Sequence, residues 1–125
     1  MTAPSWINAV IGDFARAAGI GGLALNERGA AAFRFENGVT LRFEYRAGEL
    51  VVAAAVPAAN DAATARRLLA YAHPDARPAV RAGYLVKAGC AVFAVRIPEQ
   101  DVTLPAVNVA FDTLWRIATE FGGVA

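Results

Sequence analysis

Cys90 and His73 carry the side chains a protein most readily recruits for chemistry: a thiolate for nucleophilic or redox work, an imidazole for proton transfer or metal ligation. Each is the single residue of its type in 125. Cys90 stands in the strand-like run CAVFAVRI with no second cysteine to pair with, so it reads as a small buried hydrophobe. His73 precedes Pro74 and has neither a second histidine nor clustered carboxylates from which to build a metal site or charge relay, so it reads as a solvated loop residue. Glu27, Glu36, Glu44 and Glu49 fall in loops or on a wet strand face, and no two carboxylates share a helical face for acid–base work. Gly21-Gly22 follows a helix and precedes a strand, whereas a phosphate cradle needs strand, glycines, then helix. No Ser–His–Asp or Cys–His set is available, so the sequence assigns no catalytic, cofactor-binding or metal-binding residues and predicts a protein that is not an enzyme.

Charge and composition narrow the field further. Twelve basic and eleven acidic residues give a net charge of +1, spread along the chain without clusters, which makes no electrostatic case for nucleic acid. The hydrophobic content is 57%, but the longest apolar runs are far too short to span a bilayer. The start, MTAPSWINAV, has no basic residue before its apolar part, and Asp13 and Arg16 soon interrupt it, so no secretory signal is read and a cytoplasmic protein is expected. The length suits one domain, residues 1–125.

The element around which the rest must be arranged is the stretch from Ala30 to Val56, which reads as three consecutive antiparallel strands. Its middle run puts Val39, Leu41, Phe43 and Tyr45 on one face and Thr40, Arg42, Glu44 and Arg46 on the other. A two-residue Asn37-Gly38 turn would set Phe33 opposite Arg42 and mix core with solvent residues. A three-residue loop, with Gly38 left-handed, sets Phe35 opposite Val39 and Phe33 opposite Leu41. The next link, at Ala47-Gly48, aligns Tyr45 with Leu50, Phe43 with Val52 and Arg46 with Glu49. The third strand is apolar on both faces, with Val51, Ala53 and Ala55 on the outer one, so that face calls for a cover other than water.

Around this meander the chain supplies three helices and a second hairpin. Ser5 to Ala18 is amphipathic, with Trp6, Val10 and Phe14 at four-residue spacing, Ile7, Ile11 and Ala18 beside them, and Gly19 as its stop. Leu23 and Leu25 are candidates for a short strand. A second helix, capped by Asn60 or Asp61, runs to about Ala72 and contains Leu68, Leu69 and Tyr71. Tyr84–Lys87 and Cys90–Ile97 read as a hairpin around Ala88-Gly89. The last helix, Leu104 to Phe121, is capped by Thr103, has Pro105 in its first turn and ends at Gly122-Gly123. The expected fold is a single α+β domain in the order α-β-β-β-α-β-β-α, a twisted antiparallel sheet packed with helices.

That order in a chain of this length resembles the class I chaperones of bacterial type III secretion, the Tir-chaperone-like family. The stretch FARAAGIGGLALNERGAAAFRFE is similar to the family's pattern of a helix ending in a glycine-containing turn, a hydrophobic pair (Leu23 and Leu25), a polar turn (Asn26 to Gly29) and an alternating strand. The likeness extends more loosely through the apolar hairpin and the last helix, while the pI near 7.9 departs from a usually acidic family. The resemblance implies a cytoplasmic homodimer that holds the N-terminal segment of a secreted effector in extended form and delivers it to the export apparatus, with the export ATPase as a further partner. It places the effector surface on the first helix and meander (Trp6, Ile7, Val10, Ile11, Phe14, Leu23, Leu25 and Val51). It places the dimer contact on the second helix and second hairpin (Leu68, Leu69, Tyr71, Tyr84, Val86, Val92 and Phe93). The competing reading is a bacterial regulatory or ligand-binding α+β domain with no secretion substrate.

Overall fold

Alternation along the strands decides the architecture, because one face of every strand is apolar and must be covered. The computed structural model describes residues 3–72, 75 and 78–123; His73 lies outside the described residues. Five antiparallel strands form one sheet in the order β1-β2-β3-β5-β4. They are β1 (Ala30–Arg34), β2 (Thr40–Arg46), β3 (Glu49–Pro57), β4 (Arg81–Leu85) and β5 (Cys90–Pro98). Helices α1 (Ser5–Ala17), α2 (Ala62–Tyr71) and α3 (Leu104–Gly122) complete the expected α-β-β-β-α-β-β-α order. A 3-10 turn at Glu99–Asp101, which the sequence did not announce, joins β5 to α3.

Both registers of the meander are those expected. Phe33 faces Leu41, and the Phe35 N–H reaches the Val39 carbonyl at 2.8 Å, with Gly38 at φ 92° closing the loop. Phe43 faces Val52 and Tyr45 faces Leu50. The doubly apolar β3 proves to be the central strand, paired with β5 from Glu49 opposite Pro98 to Pro57 opposite Cys90. Leu41, Phe43, Leu50, Val52, Phe93 and Val95 form the core face, against which α3 lies across β3 and β5 while α1 packs on α3. Edge-to-face contacts of Phe14 with Phe43 (5.7 Å) and Phe111 (5.2 Å) knit α1 to the sheet and to α3.

The capping chemistry sets the helix limits. Asp61, not Asn60, caps α2, its carboxylate accepting the Thr64 N–H at 2.8 Å. Thr103 caps α3 through the Ala106 N–H, and Gly123 ends it in the left-handed conformation. Gly19, at φ 77°, lies just beyond the end of α1.

Three expectations are corrected. Leu23 and Leu25 lie in a non-strand connection, where the Leu25 N–H is donated to the Asn8 side-chain oxygen at 2.9 Å instead of to a strand. The β4 strand ends at Leu85, and Val86 to Lys87 belong to a four-residue turn whose Gly89 N–H returns to the Leu85 carbonyl at 2.9 Å. Cys90 is half-buried on the outer sheet face instead of in the core, its thiol directed to the Ala88 carbonyl.

Candidate functional site

Two sheet edges and one open sheet face remain after the core is built, and each presents different chemistry. At the β1 edge, the Phe35 bond to Val39 and the Tyr45 bond to Gly29 show that odd-numbered residues point their backbone toward β2. Alternation therefore turns the N–H and C=O groups of Ala30, Ala32 and Arg34 outward. Asn26 occupies the first of these positions: its N–H donates to the Ala30 carbonyl at 2.8 Å, and its side-chain oxygen accepts the Ala30 N–H at 3.1 Å. Ala32 and Arg34 are left as the open part of the edge.

Beside that edge stands a shelf of half-buried aromatic rings. Phe35 meets Phe33 at 4.9 Å and Trp115 at 4.8 Å, and Trp115 stacks on Phe111 at 5.7 Å. Sequence reasoning used Phe33 and Phe35 only to set register. The usable signal was the pair of same-face phenylalanines, one in β1 and one just after it, together with Phe111 and Trp115 at helical spacing.

The expected effector-binding residues divide. Ile7, Ile11 and Phe14 are completely buried and belong to the protein's own core, as does Leu25, so a guest could not touch them without unfolding α1. Trp6 is 44% exposed, and Val10 and Leu23 are half-buried at the core margin. Val51 lies on the opposite face of the sheet from α1, apart from the rest of the set.

The expected dimer residues divide as well. Phe93 is fully buried, in ring contact with Tyr71 (5.8 Å) and Phe121 (5.4 Å), and Leu68 is buried with them. Tyr84 donates its hydroxyl to the Ala58 carbonyl, and Tyr71 donates to Glu120, so both rings are tied into the monomer. The Tyr71 hydroxyl is pushed above its ordinary pKa, first by burial and then by that carboxylate. Leu69 at 77% and Val86 at 71% are freely exposed, and they are joined by Leu85 at 54%, which was not anticipated. Val92 is half-buried on the outer sheet face.

That outer face is a trough of about 580 Å³. Val51, Ala53 and Ala55 of β3 and Val92 and Ala94 of β5 make its low floor. The same face carries Arg34, Arg42, Arg46, Arg81 and Arg96 against Glu44 and Glu49. Charges dispersed along the sequence are thus gathered by strand pairing. Among the described residues no group of histidine, cysteine and carboxylate side chains could hold a metal ion, and no helix is long and apolar enough to cross a membrane.

No protein-family model matches the sequence, and no curated protein does. Solved structures do. A chain of the ExsC–ExsE complex superposes with a TM-score of 0.83 at 21% identity, over 98% of this chain and 96% of that one. The HopA1–SchA chaperone–effector complex matches at 0.75 and 16% identity, over 98% and 100% of the two chains. The Yersinia pestis type III secretion chaperone SycH, in complex with a stable fragment of YscM2, matches at 0.70 and 14% identity, over 92% and 98%. The chain has the fold of the class I type III secretion chaperones, nearly end to end.

Proposed function

We propose that this protein is a bacterial cytoplasmic chaperone of type III secretion, a non-enzymatic homodimer that holds the N-terminal segment of an effector in extended form and helps deliver it to the export apparatus and its ATPase. The observation that carries the reading is the β1 edge. Open backbone groups at Ala32 and Arg34 adjoin the Phe33, Phe35 and Trp115 rings, which is what strand addition with alternate side-chain pockets requires. The fold shared with structures of chaperone–effector complexes supports it. Trp6, 44% exposed on α1, and Leu23, half-buried in the connection after it, are further apolar side chains open to a guest.

The decisive experiment starts with the secreted protein that copurifies from the native host and follows its N-terminal segment bound to this chain by hydrogen exchange. Slowed exchange at the Ala32 and Arg34 amides, together with weakened binding by a folded Trp6→Asp variant, is expected. Protection confined to α2 and β4, with Trp6→Asp binding normally, would overturn the assignment.

A further inference from the structure

The helix-free face of the sheet carries its own recognition chemistry. One row of the register runs Arg42, Ala53, Ala94, Arg81 across β2, β3, β5 and β4, setting two alanines between two arginines. The arginines stand three strand spacings apart, about 14 Å. Arg46 and Arg96 are engaged by Glu44 at 3.2 Å and Glu49 at 3.5 Å, whereas Arg42 and Arg81 have no carboxylate partner among the described residues. Five arginines against two glutamates leave this face with three surplus positive charges on a chain whose net charge is +1.

We propose that the trough takes an extended acidic segment of a partner polypeptide, lying across the strands with carboxylates on Arg42 and Arg81 and small or aliphatic side chains on the Ala53–Ala94 floor. Residues four apart in an extended chain project to the same side and lie about 13–14 Å from one another, which matches the separation of the two arginines. Guanidinium groups favour carboxylates through paired N–H donors. A second copy of this chain fits poorly, because a two-fold contact through this face would set the arginine surplus against itself. A single-stranded nucleic acid fits poorly too, since the floor is alanine and valine and the ring among the lining residues, Tyr84, is tied away by its hydroxyl to the Ala58 carbonyl. This surface lies on the side of the sheet away from α1 and Trp115, so the inference stands independently of the effector reading.

The test uses the nitrogen-15-labelled full chain and a blocked decapeptide with glutamate at every fourth position and alanine between, with the matching glutamine–alanine and lysine–alanine peptides as controls. The acidic peptide is expected to shift the Ala53, Ala94 and Gly83 amides and the Arg42 and Arg81 side-chain N–H signals. Arg42→Gln and Arg81→Gln, at exposed positions that leave the fold intact by circular dichroism, should each weaken binding roughly fivefold. Raising salt from about 0.05 M to about 0.3 M should weaken it further, as the Debye length shrinks. The proposal is overturned by equal shifts with the glutamine–alanine peptide, by shifts confined to α1 and β1, or by displacement of the peptide by a single-stranded oligonucleotide. A change in solution mass caused by Arg42→Gln with Arg81→Gln would also overturn it, because the face would then belong to contact between copies.

Discussion

Ala47 is the one non-glycine among the described residues with positive φ, at 53°, and Gly48 follows at 77°. Two positive-φ residues in a two-residue hairpin link make the mirror-image turn that matches strand twist, and they favour asparagine before glycine. Alanine pays the left-handed penalty without a polar side chain to offset it. Ala47→Asn should therefore raise stability by about 1 kcal/mol, read as a higher denaturation midpoint with an unchanged slope. Asp61 gives a pH-dependent counterpart. Its carboxyl is held below the usual carboxylate range, first by the Thr64 backbone N–H and then by the Thr64 side chain. A depressed folded-state pKa contributes stability in full above the ordinary carboxylate pKa, and that contribution is lost as pH falls through the folded value. Asp61→Asn caps without titrating, so the drop in melting temperature from neutral pH to strongly acidic pH should be smaller for the variant than for the wild type.

At the scale of elements, α1 offers a direct contrast between core and surface. Ile7 is fully buried while its neighbour Trp6 is 44% exposed. Ile7→Ala should cost about 2–5 kcal/mol in chemical denaturation, whereas Trp6→Ala should leave the midpoint nearly unchanged. The sequence could not separate the two, because both fall within one broad apolar arc and only the docked helix reveals which side meets α3. Strand registers were legible for the opposite reason: a slip of one residue would have turned Phe33, Phe43 and Val52 to solvent. The end of β4 was hidden because Tyr84 and Val86 keep alternating after the pairing has stopped at Leu85. The arginine face was invisible because its members range from Arg34 to Arg96 and meet only through the pairing of β3 with β5.

For the whole molecule, the exposed Leu69 of α2 and Val86 of the turn after β4 argue for a homodimer through that end of the sheet. Fully burying each such side chain is worth about 1.5–3 kcal/mol. Light scattering at tens of micromolar should give twice the 13.1 kDa chain mass, and Leu69→Asp with Val86→Asp should return it to one. Phe93→Asp is not a test of that contact, since a carboxylate there would enter the monomer's core.

The long β3–β5 ladder also sets the order in which the chain can be made. Residues 49 to 57 must wait for residues 90 to 98, with α2 and the β4 turn threaded between them. At ribosomal speeds of about 5–20 residues per second, the nascent meander spends several seconds with its central strand missing one neighbour and α3 not yet available to cover Phe43 and Val52. Closing that interval costs loop entropy before any contact repays it. Ribosome-bound chains stopped before Cys90 should consequently remain protease-sensitive across the entire meander, and resistance should arrive in one step once β5 and α3 have emerged.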